Sequence, residues 1–173
     1  CGRYAGRISN SKFNIKNKIY KLSGNEGKNI LHGGKKGFDR LEWKINHHSK
    51  NKIVYQLLSK NLDQGFPGDL NSECIFEIKN KSLFIKYQYK SNQLTHVSLT
   101  NHSYWNLNKD KSETIFNHDL KINSEKYLEA TNKLIPTGKI KKVKNTINDF
   151  NHFKNIGEKI NIIKNKKIKR VSN

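Results

Sequence analysis

The sequence predicts an all-β chain, a sandwich or barrel of short antiparallel strands. Three observations carry this expectation. Apolar and polar residues alternate at period two, most cleanly at Leu83, Ile85, Tyr87 and Tyr89, as on a strand with one buried face. Turn-forming residues separate such stretches at about the 8–12-residue spacing of sandwiches and barrels. No amphipathic helical pattern appears before the C-terminal tail. The 173 residues are enough for one domain with a real core.

Taken in chain order, the first strand candidates are Phe13 to Ile15, Ile19 to Leu22 and Leu41 to Ile45. Ile53-Val54-Tyr55-Gln56-Leu57-Leu58 is a denser apolar run and reads as a central strand. Cys74, Phe76 and Ile78 alternate, so Cys74 reads as a core thiol. Then come Leu83 to Tyr89, Leu94 to Leu99, His118 to Ile122 and Tyr127 to Ala130. Turn signals fall between them at Ser23-Gly24-Asn25, His32-Gly33-Gly34, Phe66-Pro67-Gly68-Asp69, Lys79-Asn80-Lys81 and Pro136-Thr137-Gly138. From Asn151 onward the chain is rich in Lys, Asn and Ile, with Ile156, Ile160 and Ile163 at roughly helical spacing. So charged a tail has little to bury and is expected to be an ordered fragment at best.

The formal net charge is +20, from 34 Lys and Arg against 14 Asp and Glu. Such an excess normally suggests nucleic acid or an anionic surface. Here nearly all of it is lysine, spread along the chain, with arginine only at Arg3, Arg7, Arg40 and Arg170. Solvated lysines account for that pattern, and no specific nucleic-acid partner is expected, only salt-sensitive adhesion to polyanions. Cys1 and Cys74 form no disulfide framework and no metal spacing. His47-His48 is a poor chelate, since neighbours on a strand point apart, and a turn or surface position is expected for it. No apolar run is long enough to span a membrane.

The stretch richest in chemistry is Thr100-Asn101-His102-Ser103-Tyr104-Trp105-Asn106-Leu107. On the strand leading into it, Thr95, Val97 and Leu99 share one face, and His96, Ser98, Thr100 and His102 the other. Aromatic platforms beside hydrogen-bonding side chains suit a pyranose, which has apolar C–H faces and a rim of hydroxyls. Taken alone, the stretch fits equally a half-exposed strand with a solvated histidine and aromatics packed in a core. His32 ahead of Gly33-Gly34, taken alone, marks a tight turn, and Arg7 one more surface cation.

Together, several ordered motifs point further. Cys1-Gly2-Arg3-Tyr4-Ala5-Gly6-Arg7-Ile8, Leu31-His32-Gly33-Gly34 with Gly37-Phe38-Asp39, Gln64-Gly65-Phe66-Pro67-Gly68-Asp69-Leu70, Thr100 to Leu107 and Ile135-Pro136-Thr137-Gly138 closely resemble the aldose 1-epimerases, also called galactose mutarotases. The resemblance runs from Cys1 to about Phe150. It implies a large antiparallel β-sandwich with a sugar cleft on its concave sheet. It also implies a cofactor-free isomerase that interconverts the α and β anomers of galactose or glucose, is cytoplasmic, and is a monomer or homodimer. Family members are nearly twice as long, so residues 1–150 are expected to be part of one such domain, and residues 151–173 a truncated continuation of it.

Ring opening needs a base at the anomeric hydroxyl and an acid at the ring oxygen, and histidine suits the acid role because it titrates near neutrality. By the resemblance, His102 protonates the ring oxygen, His32 contacts the sugar beside it, and Arg7 binds sugar hydroxyls. Two departures stand out. Gly6 replaces a family asparagine that also binds sugar. The family's catalytic glutamate and a sugar-binding aspartate belong to the second half of a full-length member, and none of Glu113, Glu125, Glu129 or Asp149 sits in a matching context.

Overall fold

The computed structural model describes residues 1–171, so residues 172 and 173 of the expected 151–173 continuation lie outside the described residues. The chain forms two compact units, Cys1–His102 and Ser103–Asn173.

The first unit holds six strands: β1 (Lys12–Ile15), β2 (Lys18–Lys21), β3 (Lys44–Ser49), β4 (Lys52–Ser59), β5 (Leu70–Lys79) and β6 (Ser82–Ser91). β1 and β2 form an antiparallel hairpin. The other four make an antiparallel sheet in the order β3-β4-β5-β6. The dense apolar run is therefore an interior strand, and Tyr55 faces Cys74 across the β4–β5 ladder. Asn80 and Lys81 both take positive φ and close the two-residue β5–β6 hairpin, as a type I′ connection requires. The period-two pattern is realised along β5: Leu70, Ser72 and Cys74 are buried, while Ile78 emerges at the strand end, 60% exposed.

Two apolar clusters fix this unit. Leu22, Ile30 and Phe66 pack with Tyr4, Ile8 and Phe13. Phe38, Leu57 and Leu70 pack with Leu41, Trp43, Val97 and Leu99. The buried guanidinium of Arg3 gathers two separate segments. Its Nη1 donates to the carbonyls of Pro67 and Gly68, each at 2.9 Å. Its Nη2 donates to the Ser59 hydroxyl at 2.6 Å and to the carbonyls of Ser59 and Lys60. The Ser59 hydroxyl in turn donates to Asp63 at 2.6 Å. Removal from water pushes the guanidinium below its ordinary pKa, while Asp63 and Asp69 act in the opposite direction.

The second unit holds β7 (Asp119–Leu120), β8 (Lys126–Ala130), β9 (Pro136–Lys142), β10 (Lys154–Asn155) and one helix, α1 (Ile156–Val171). β8 pairs with β9 and β7 with β10, both antiparallel. No helix among the described residues is long and apolar enough to cross a membrane.

Three local expectations are corrected. Leu94 to Leu99 alternates inward and outward as expected but forms no regular strand. Ser98 is held on both sides, donating to the Arg3 carbonyl and accepting from Ala5 N–H. The Leu41–Ile45 strand begins instead at Lys44, because the Trp43 indole N–H donates to the Phe38 carbonyl and ties that segment locally. Its ladder then shifts at a bulge between Ile45 and His47, and His47 and His48 lie exposed on the strand. Pro136-Thr137-Gly138 is not the turn but the start of β9. The turn lies just before it, where Leu134 takes a φ of 57° and Thr131 N–H donates to the Ile135 carbonyl; a proline opening a strand costs no ladder bond. Within the tail, Lys154–Asn155 form β10 and Ile156–Val171 form α1, in line with the helical spacing of Ile156, Ile160 and Ile163. Asn155 caps the helix by accepting from Glu158 N–H at 3.2 Å, and Glu158 sits in the first turn, where the helix dipole favours an anion.

Arg3→Met is expected to lower the stability of the chain by about 3–5 kcal/mol, the cost of orphaning buried partners of a charge. Urea unfolding checks this, and an unchanged midpoint would show that the acceptors around Arg3 are satisfied without it.

Candidate functional site

The three residues singled out by the motifs all lie in the first unit, on its loops. His32 follows Leu31 in a turn closed by Gly34 N–H donating to the Leu31 carbonyl. His32, Gly33 and Gly34 all have positive φ, at 54°, 88° and 110°. Gly33 is required for a second reason: a Cβ there would lie 1.7 Å from the Gly2 carbonyl oxygen. The first motif and the His-Gly-Gly loop thus cross backbone against backbone.

Asn25 staples the same loop from outside. Its side-chain N–H groups donate to the carbonyls of Leu31 and Gly34, and its Oδ1 accepts from Leu31 N–H at 2.8 Å. Main-chain bonds tie Ile8 to Ile30 in both directions and His32 N–H to the Ala5 carbonyl. His32 is therefore fixed at its backbone relative to the strip that carries Arg7.

His102 ends the same unit. Its ring lies 5.0 Å from that of His32, centroid to centroid, with the planes inclined at 56°. Two imidazoles separated by 70 positions in the chain are thus neighbours in space. Asn101, one residue earlier, hydrogen-bonds the Tyr87 hydroxyl on β6, which also bonds Cys74. Burial, above all, raises the Tyr87 phenol to about 12, so it stays protonated as a fixed structural link. His96 is turned elsewhere, edge-on against Phe13 at 4.7 Å.

Arg7 is held by a residue that the motifs did not flag. Its Nε and Nη2 each donate to a carboxylate oxygen of Glu26, both at 2.7 Å. This is the side-on bidentate fork that guanidinium and carboxylate geometry favours. The hydrogen bond from Arg7 holds the Glu26 carboxyl below the usual carboxylate range, and His32 acts in the same direction. Reciprocally, Glu26 raises the Arg7 guanidinium. In sequence, Glu26 carries no signal beyond being an acid in a turn-rich loop; its role depends on a contact across 19 positions.

An apolar cavity of about 280 Å³ lies elsewhere in this unit, among Phe38, Trp43, Tyr55, Phe76 and Tyr87, with Cys1 and Cys74 on its wall. None of Arg7, His32 and His102 lines it. In the second unit, Tyr104 and Trp105 are exposed, at 91% and 63%, and so are not core aromatics of that unit. Asn106 braces its loop by donating to the Glu113 carbonyl and accepting from Asn108 N–H. Among the described residues, no group of three or more His, Cys, Asp and Glu side chains could hold a metal ion.

The aldose 1-epimerase family model matches residues 1–172. The chain belongs to the aldose 1-epimerase family. It is 38% identical to an aldose 1-epimerase of Haemophilus influenzae over 151 residues, which is 86% of this chain and 44% of that protein. It is equally 38% identical to the galactose mutarotase of Bos taurus over 149 residues, 86% of this chain and 43% of that one. A solved aldose epimerase homologue from C. elegans superposes with a TM-score of 0.84 at 31% identity, covering 91% of this chain and 48% of that chain. A galactose 1-epimerase structure from Lactobacillus acidophilus gives 0.80 at 28% identity. The aldose epimerase fold expected from the motifs, an antiparallel β-sandwich, is thus shared with these structures, and the chain spans a little under half the length of the relatives it matches.

The Glu26 carboxyl has a depressed pKa, so its ion pair with Arg7 is intact above the usual carboxylate range. As pH falls through the depressed value, the pair and whatever stability it adds are lost. Carbon-13 titration of Glu26 is expected to give a midpoint below the ordinary glutamate value, returning upward in Arg7→Ala. A midpoint that ignores the substitution would show that Arg7 is not its partner in solution.

Proposed function

We propose that this chain carries the ring-oxygen side of an aldose 1-epimerase site, acting on free aldohexoses such as galactose and glucose. The observation that supports this is the meeting of His32 and His102, with rings 5.0 Å apart, in the unit that also fixes Arg7 by its fork with Glu26. In this reading His102 is the general acid that protonates the ring oxygen as the ring opens. His32 binds beside it, and Arg7 donates to sugar hydroxyls. The opened aldehyde rotates about its C1–C2 bond and the ring closes on the other face, with the same groups working in reverse. Proton transfer alone does this work, and no cofactor or metal enters the scheme.

The base that takes the anomeric hydroxyl proton is not assigned to a residue of this chain. A general base works best with a pKa near the working pH. Glu26 is engaged by Arg7, and Glu129 by Lys141 and Thr137, and none of Glu113, Glu125, Glu129 or Asp149 sits in a sequence context matching the family's base. The proposal therefore places the base outside these residues. Residues 1–150 are taken as part of one mutarotase-like domain that the following residues continue, cytoplasmic and monomeric or homodimeric. The Gly6 departure favours a second reading, a carbohydrate-binding protein of the same fold without turnover, since a fold can be kept while its chemistry is lost.

Polarimetry separates these readings. Fresh α-galactose with the 173-residue chain is expected to mutarotate at the spontaneous rate while still binding the chain. A clearly faster, protein-dependent decay would overturn the placement of the base. In a chain extended to the length of its relatives, mutarotation is expected to accelerate, and His102→Ala to remove about 10²–10⁴-fold of the rate. Near-normal turnover in that variant would overturn the role of His102, and no turnover in the extended parent would favour the binding protein.

A further inference from the structure

We infer that Glu26 is a positioning residue of the sugar site, holding the Arg7 guanidinium side-on so that its remaining N–H groups stay oriented for ligand hydroxyls. The inference rests on the sugar reading above and adds to it a residue outside the motifs.

A guanidinium carries five N–H donors in a rigid plane. Glu26 takes one from Nε and one from Nη2, which leaves three, two of them on Nη1. The carboxylate thus occupies one edge of the fork and leaves the end open. Without it, an arginine side chain samples many rotamers, and binding a hydroxyl would mean ordering all of them.

Glu26 is itself anchored. Its N–H donates to the Asn29 carbonyl at 3.1 Å, and its carbonyl accepts from Asn29 N–H at 3.0 Å. Its neighbour Asn25 ties the same loop to Leu31 and Gly34, on either side of His32. Residues 25–34 therefore form one braced loop that presents both His32 and the clamp on Arg7. A surface ion pair that served only stability would need none of this bracing, and single exposed pairs contribute little.

The test compares galactose affinity of the 173-residue chain with Arg7→Ala, Glu26→Gln, the double variant and Glu26→Asp, each first shown folded by its amide NMR spectrum. Glu26→Gln is expected to weaken galactose binding about tenfold, and Arg7→Ala at least as much. The double variant should be no weaker than Arg7→Ala alone, because Glu26 acts through Arg7. Glu26→Asp should recover part of the loss. The Arg7 Nε–H signal should exchange slowly with water in the parent and fast in Glu26→Gln. Galactose binding that needs Arg7 but ignores Glu26→Gln overturns the positioning role and spares the sugar reading. Losses that multiply in the double variant overturn it too, since Glu26 would then act independently. A parent chain that does not bind galactose overturns the sugar reading, and the positioning role with it.

Discussion

The buried guanidinium of Arg3 is the constraint on which the first unit depends. A charge removed from water must be surrounded by acceptors or it destabilises the fold. Those acceptors come from the end of β4 and from the Phe66-Pro67-Gly68 turn ahead of β5. Arg3 therefore sets where the N-terminal strip crosses the sheet. Once it is in place, Ala5 and Ser98 meet and Gly2 lies against Gly33. Arg7, four residues on from Arg3, inherits its position from that docking.

The candidate site lies on loops, but the loops are braced like core elements. Backbone crossing at Gly33, the Asn25 side chain and the Ile8–Ile30 pairing each remove freedom from the segment that carries His32. Residues whose backbones are already tied lose little further entropy when a ligand arrives. The cluster of Leu22, Ile30 and Phe66 beneath the loop gives this bracing a rigid base.

Charge enters differently in the two roles of arginine. Arg3 is solvated by carbonyls and a hydroxyl, and aspartates act on it from further off. Arg7 is paired directly with a carboxylate and keeps part of its fork open. The same side chain is enclosed by neutral acceptors in one place and paired along one edge in the other, because five donors in a plane can be shared out among different acceptors. Among the described residues, single lysines pair with acids, as Lys141 does with Glu129 and Lys60 with Asp69.

Much of this was legible in the sequence. Period-two alternation and turn residues determined the antiparallel strands and the interior position of β4, because a pleated strand with one buried face leaves that imprint on side-chain order. The ordered motifs pointed to the aldose 1-epimerase family and to His32, His102 and Arg7 as candidates. Local pattern failed where backbone partners decide: Leu94 to Leu99 alternates like a strand yet lacks a continuous ladder, and Pro136 reads as a turn yet opens β9. The helical spacing of Ile156, Ile160 and Ile163 anticipated α1, but the pairing of β10 with β7 and the Asn155 cap depend on contacts that spacing does not record. Glu26 and the Arg3 acceptors were invisible for the same reason. A sequence records each side chain's own chemistry, whereas which donor meets which acceptor across tens of residues is settled only when the chain folds back on itself.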